Sequence, residues 1–231
     1  MELEILYEDN HLIAVNKPAG TLSQGDKTGD DPLGEEVKKY IKIKYNKPGE
    51  VFLGVIHRLD RPVSGVILFA RTSKALSRMN ELFQEKKFQK TYWAITKNRP
   101  HDAERTLIHY LIKNEKNNTS KAYNKEIKGS KRAELSYKIV AQLDNYIGIA
   151  VKPATGRHHQ IRVQLASIGC PIKGDLKYGF DRSNSDGSIH LHAREARFTH
   201  PVSKEELVIT APPPKDAIWQ ALLQKIESSV D

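Results

Sequence analysis

Ala133-Glu-Leu-Ser-Tyr-Lys-Ile139 alternates apolar and polar side chains at every step, the period of a strand with one buried and one wet face. The same kind of stretch recurs on either side. Residues 90–96 and 107–112 precede it and residues 146–151 follow it, so strands arrive in a run with no helix between them. Strands in runs, rather than in strict alternation with helices, favour an α+β fold with a largely antiparallel sheet.

Farther out the pattern is mixed. Leu3-Glu-Ile-Leu-Tyr7 and His11-Leu-Ile-Ala-Val15 read as short strands joined by a turn at residues 8–10, and Pro18 and Gly20 open a polar loop that continues through Gly25 and Gly29. Asp31-Pro32 starts a helix whose Leu33, Val37, Tyr40, Ile41 and Tyr45 fall at helical spacing, ended by Pro48-Gly49. Val66-Ile-Leu-Phe-Ala70 reads as a buried strand; Thr72 or Ser73 then caps a helix with Leu76, Met79, Leu82 and Phe83 on one face. A third helix is expected over residues 157–168, with Gly169 and Pro171 placed to end it. Strands over 189–199 and 207–210 lead to Pro212-Pro-Pro214 and a C-terminal helix bearing Ile218, Trp219, Leu222 and Ile226. No repeat, low-complexity tract or linker cuts the chain, so residues 1–231 are expected to form one domain.

Composition narrows the function classes. Of 231 residues, 39% are hydrophobic, enough for a packed core. A single cysteine, Cys170, excludes an internal disulfide framework and a cysteine-rich zinc finger. The first residues lack the basic patch and apolar run of a signal peptide, and the longest apolar run, Val66–Ala70, is far too short to span a bilayer. A cytoplasmic protein without a membrane partner is expected. Charge is uneven: residues 1–36 hold two basic and nine acidic side chains, whereas 37–231 hold 35 basic and 19 acidic. Residues 113–132 alone carry seven basic against two acidic. Such a field steers a polyanion toward one region, although a solvated, solubilising hairpin has the same composition.

Four segments carry chemistry. In His57-Arg-Leu-Asp60-Arg-Pro-Val-Ser-Gly65 two arginines bracket one carboxylate between apolar stretches. A carboxylate near positive charge stays ionised and can act as nucleophile or base; the plainer reading is a buried ion pair closing a loop. In Gly156-Arg-His-His-Gln-Ile-Arg162, Arg162 flanks the helical stripe of Ile161, Leu165 and Ile168. There it needs an anion, either a carboxylate or a phosphate, unless its stem merely packs along the surface. In Lys90-Thr-Tyr92-Trp93, Tyr92 and Trp93 point to opposite faces of a strand; Tyr92 is a candidate to stack on a base, although an aromatic on a strand more often fills the core. His190 and His192 share a strand face, a spacing that can ligate zinc. With neither a cysteine cluster nor an H-E-x-x-H motif, no metal is assigned.

Together these segments resemble the RluA-type pseudouridine synthases, which isomerise selected uridines in ribosomal or transfer RNA. The resemblance rests on HRLDRPVSG (57–65), Lys90-Thr-Tyr92, Thr155-Gly-Arg-His-His-Gln-Ile-Arg162, and Leu191-His-Ala with Phe198-Thr-His-Pro201. Leu12-Ile-Ala-Val-Asn-Lys-Pro-Ala-Gly20 and Pro171-Ile-Lys-Gly-Asp-Leu-Lys-Tyr-Gly179 also match, so the likeness covers residues 4–212 in family order. It implies the pseudouridine synthase core fold, an α+β arrangement with a mixed, mainly antiparallel β-sheet flanked by helices, with Asp60 as catalytic carboxylate, Tyr92 stacked on the uracil and Arg162 paired with Asp60. His57, Arg58 and Arg61 are implied substrate contacts, as are Arg157, His158, Gln160 and Leu191. The small N-terminal S4 domain of many members has no counterpart here, so substrate selection is expected to fall to the catalytic domain.

Two positions depart from the pattern. Val63 replaces a threonine and loses its hydroxyl, and Ala196 replaces a leucine, which makes the expected apolar wall beside the uracil shallower. The partner implied is structured RNA, with no DNA and no cofactor; the chain is expected to act as a monomer. Uracil leaves as a stabilised anion and is recaptured, so one carboxylate suffices where a glycosidase needs two. The rival readings are a non-catalytic RNA-binding or ribosome-assembly protein on the same fold, and a hydrolase of small nucleosides that would leave the basic charge unexplained.

Overall fold

The structure, a computed structural model, describes residues 3–25 and 29–228; the middle of the polar loop expected before the first helix lies outside them. The elements run β1 (Ile5–Glu8), β2 (Leu12–Lys17), α1 (Leu33–Lys44), β3 (Gly54–Val55), β4 (Ser64–Ala70), α2 (Ser73–Gln84), β5 (Gln89–Thr96), β6 (Glu104–Asn114), β7 (Thr119–Tyr123), β8 (Lys131–Gln142), β9 (Ile147–Pro153), α3 (Gln160–Ser167), β10 (Leu191–Thr199), β11 (Glu206–Thr210) and α4 (Ala217–Glu227). They belong to two compact units: Met1–Lys90 with Ala193–Pro213, and Thr91–His192 with Pro214–Asp231.

In the first unit the apolar run of β4 is buried at all seven positions, as expected of a strand covered on both faces. Antiparallel β2 flanks it, with β1 beyond; short β3 pairs with its far end, and β10 lies beside it with β11 attached. On one face Val66, Leu68 and Ala70 pack with Leu12, Ala14, Ala75, Met79 and Phe198 beneath α2. Thr72 starts α2 by accepting a hydrogen bond from the Ala75 amide, the cap expected from sequence. The other face meets α1, where a Cβ on Gly34 would stand 3.8 Å from the Phe69 ring. Gly65 has φ +116°, and a Cβ there would come within 2.3 Å of the Ala193 carbonyl oxygen. Only glycine lets the β4 and β10 backbones approach so closely.

The second unit is an antiparallel sheet in the order β5-β9-β8-β6-β7. The 133–139 alternation is realised in β8: Ala133, Leu135 and Tyr137 are buried while Arg132, Ser136 and Lys138 are exposed. On one face α4 seats Trp219 and Leu222 against Ile95 and Trp93, and Leu222 occupies the space a side chain on Gly148 would fill. On the other, Val163 of α3 packs on Leu111 and Ala133.

Two expectations are corrected. Helix α3 begins at Gln160, not 157, because His159 adopts the left-handed conformation at φ 52°, which a right-handed helix cannot pass through. The strand expected from 189 begins at Leu191. The basic stretch 113–132, expected as a hairpin, holds the strand β7, which pairs antiparallel with β6.

Candidate active site

Asp60 lies on the loop between β3 and β4, and that loop is bound tightly to the one after β2. Ser23 Oγ donates to the Leu59 carbonyl (2.7 Å) and accepts from the Leu59 amide (3.1 Å). The Gly20 amide donates to the Arg61 carbonyl at 2.8 Å, and Arg61 Nε returns a bond to the Gly20 carbonyl at 2.9 Å. Beneath them Lys17, fully buried at the end of β2, sends Nζ to the carbonyls of Pro18, Thr21 and Arg61 at 3.1, 2.9 and 3.2 Å. Burial pushes the Lys17 ammonium down to about 7, opposed by the Asp60 carboxylate. The Val63 amide closes the turn on the Asp60 carbonyl at 3.0 Å, so the backbone itself makes a closing bond in the turn that lacks the threonine hydroxyl. Asp60 is thus half-buried on a loop whose backbone has little freedom.

The other candidates of the first unit differ in setting. Arg58 is exposed. Arg61 is exposed and pairs with Asp30 at 2.8 Å. The His57 ring lies against Phe83 and Phe88, with centroids 6.0 and 5.7 Å away, and accepts from the Leu68 amide through Nε2 at 3.2 Å. Burial, then the Lys90 charge, pushes its pKa down to about 3. His57 is therefore a neutral ring that braces β4. Ala196 is likewise part of the first unit's core, packed with Phe198 and Met79, and so fills the interior rather than forming an open wall.

In the second unit, Tyr92 is 7% exposed. It stands opposite Val151, which stands opposite Tyr137, so it shares the sheet face that α3 covers. Trp93 points the other way, into the α4 contact, as the strand period requires. Helix α3 presents Arg162 on Tyr92's side of the sheet. The guanidinium is 4% exposed and grips Asp175 side-on, Nε to Oδ2 at 2.7 Å and Nη2 to Oδ1 at 2.8 Å. Asp175 thus supplies, within the same unit, an anion of the kind a buried arginine requires, a partner the sequence reading did not name. The Tyr178 ring lies 5.1 Å from the guanidinium carbon, within cation–π range.

The approach to α3 is equally constrained. Gln160 is buried; its Oε1 accepts from Thr155 Oγ1 (2.7 Å) and the Arg157 amide (3.0 Å), and Nε2 donates to the Glu134 carbonyl (2.9 Å). Gln160 thereby shapes the loop, leaving Arg157 exposed with Nε on the Arg132 carbonyl at 3.0 Å. His158 bonds Ser120 Oγ at 2.9 Å and Asn118 Oδ1 at 3.0 Å. Leu191 is buried at the start of β10. His190 stacks on Trp219 at 5.3 Å and contacts Asn184, so it belongs to the packing around α4.

Lys17, Asp175 and Tyr178 are the residues that sequence reasoning passed over. All three fall inside segments quoted for the resemblance, Leu12-Ile-Ala-Val-Asn-Lys-Pro and Lys-Gly-Asp-Leu-Lys-Tyr-Gly. For Lys17 and Asp175 the usable signal was a charged residue amid apolar or glycine-rich neighbours.

The family described as RNA pseudouridylate synthase matches residues 11–167. The tRNA pseudouridine synthase C of Vibrio parahaemolyticus is 34% identical over 249 residues, covering 98% of this chain and 96% of that protein. The ribosomal large subunit pseudouridine synthase C of Vibrio vulnificus is 32% identical over 214 residues, covering 90% of this chain and 65% of that one. Among solved structures, human RNA pseudouridylate synthase domain containing 4 aligns with a TM-score of 0.78 at 23% identity, over 97% of this chain and 93% of that one, a likeness of fold. With that sequence match running through both units, the chain belongs to the RNA pseudouridylate synthases, the isomerases that convert uridine in RNA to pseudouridine.

Proposed function

We propose that the chain acts on a flipped-out uridine of transfer RNA, with Asp60 as the reacting carboxylate, Tyr92 as the ring that receives the base and Arg162 as the balancing guanidinium. The reaction breaks C1′–N1, forms C1′–C5, releases the proton on C5 and places one on N1. A base still stacked in its helix cannot turn over, so the nucleotide must leave the stack first. Stacking on an aromatic ring repays part of that cost. The observation that carries the reading is the Asp60 loop, whose backbone on either side of the carboxylate is held by the Lys17, Gly20 and Ser23 bonds, because a group positioned before substrate arrives needs little reorganisation during the reaction.

Transfer RNA is favoured over ribosomal RNA because the relatives matched along nearly their whole length, 96% and 97% of two of them, are named for tRNA. His57, braced as a neutral ring, supports the loop. Arg58, Arg61, Arg157 and His158 are proposed to meet the RNA, with Gln160 and Leu191 setting the walls they stand on. The test incubates the chain and its Asp60→Asn variant with transfer RNA and with ribosomal RNA, and maps pseudouridine by chemical labelling. Wild type is expected to modify transfer RNA and the variant to modify nothing while still binding it. Modification by the variant would overturn the assignment of Asp60. RNA binding by wild type without any modified base would favour the non-catalytic alternative.

A further inference from the structure

Strand β7 is an edge strand of its sheet, paired only with β6 among the described residues, and edge strands turn alternate amides outward with no ladder partner. The outward amide of Ser120 is taken by a tyrosine hydroxyl: Ser120 N–H donates to Tyr178 Oη at 2.7 Å. The same oxygen lies 2.9 Å from His159 Nδ1. A phenol has one proton and acceptor capacity to spare; accepting from Ser120, it is free to donate to His159. His159 is the left-handed residue that starts α3, three positions before Arg162. Tyr178 follows Asp175, the guanidinium's carboxylate, by three residues, and its ring lies 5.1 Å from that guanidinium. One side chain therefore touches the edge of the basic hairpin, the entry of α3 and the buried arginine.

We propose that Tyr178 is a positioning residue that couples the seating of the β6–β7 hairpin to the orientation of Arg162. This rests on the reading of the chain as an RNA-modifying enzyme that uses Arg162. Its two halves are chemically separable. The hydroxyl latches the hairpin, whose Lys121 is exposed, as are Lys125 and Lys128 in the loop that follows β7, while the ring steadies the guanidinium. RNA held by the hairpin would thus bear on the arginine through one rigid side chain, without touching it.

The experiment compares wild type, Tyr178→Phe and Tyr178→Leu in single-turnover conversion of transfer RNA, with RNA affinity measured separately and hydrogen exchange followed at the Ser120 amide. Tyr178→Phe keeps the ring and loses the hydroxyl. It is expected to expose the Ser120 amide, weaken RNA affinity about 2- to 10-fold, the range of a lost hydrogen bond, and slow the bound step by less than Tyr178→Leu does, because the hairpin no longer bears on the ring. Tyr178→Leu also loses the ring and is expected to slow that bound step by a further ~2- to 30-fold. A Tyr178→Phe chain with wild-type amide exchange and wild-type affinity overturns the latch. One whose bound step slows as much as that of Tyr178→Leu overturns the division of roles. If the leucine variant does not fold, the phenylalanine variant still decides. A wild-type chain that forms no pseudouridine overturns the functional reading itself, and this inference with it, whereas unchanged exchange in an active enzyme overturns the coupling alone.

Discussion

Replacing Asp175 with alanine removes both acceptors of the Arg162 clamp, the bonds of 2.7 and 2.8 Å between side chains that are 5% and 1% exposed. Removing one partner of a buried, hydrogen-bonded ion pair costs about 3–5 kcal/mol, because a charge taken out of water loses a carboxylate that balanced it. A chain of this length loses about 2–4 °C of unfolding midpoint per kcal/mol, so the midpoint is expected to fall by roughly 6–20 °C. Asparagine keeps one oxygen toward the guanidinium but turns an amide donor at its second nitrogen, and is expected to fall between wild type and alanine. Joint replacement by Arg162→Met and Asp175→Leu should recover much of the loss, since a buried pair exchanged for apolar volume is close to neutral. The assay is thermal unfolding followed by circular dichroism at low and at high salt. Buried pairs are screened far less than exposed ones, so the deficit should persist at high salt. A midpoint within about 2 °C of wild type, on the same scale of 2–4 °C per kcal/mol, would refute the reasoning, as would a deficit that disappears in salt.

Two further outcomes follow from charge and protonation. Reversing Lys121, Lys125 and Lys128 to glutamate should weaken transfer RNA binding and flatten its dependence on the logarithm of salt concentration by about 2, at about 0.7 per lost phosphate contact on a single strand; an unchanged slope in a binding titration would make the hairpin a solubilising surface. His57 has a folded pKa of about 3 against an ordinary 6.5, so its contribution to stability is complete above 6.5 and is lost as the pH falls from 6.5 toward 3. A His57→Gln variant, whose amide oxygen can still accept from the Leu68 amide, should bind about one proton fewer on unfolding across that window. Parallel acid limbs in denaturant unfolding of the two proteins would contradict the buried, neutral ring.

What the sequence revealed, and what it hid, follows from how local each signal is. Strand β8 was legible because one face is wet and the other dry, and β4 because both its faces are covered. Strand β7 was not: Thr-Ser-Lys-Ala-Tyr has little apolar alternation, and an edge strand that bonds a tyrosine hydroxyl needs none. The true start of α3 was hidden because nothing in Arg-His-His-Gln announces a left-handed residue at His159. Among the candidate site residues, Asp60 and Arg162 stood out as charges wedged between apolar neighbours. Asp175, a partner of Arg162, did not, since it lies thirteen positions away and only folding reveals that its carboxylate is buried. Lys17 was hidden for the same reason. A lysine ending a strand reads as solvated, and its full burial depends on the carbonyls of the turn it stands under, among them Arg61, forty-four positions on.

The backbone passes from one unit to the other after Lys90, after His192 and after Pro213. The half that carries Asp60 therefore cannot be finished from the amino-terminal ninety residues. Its sheet lacks β10 and β11 until the ribosome has released the chain through Pro213, while the other half already has β5 to β9 and α3 in hand. During synthesis, which delivers the amino terminus first, the earliest strands must wait with one margin bare. Gly65 waits among them, its missing side chain reserved for a neighbour, Ala193, that has yet to be made.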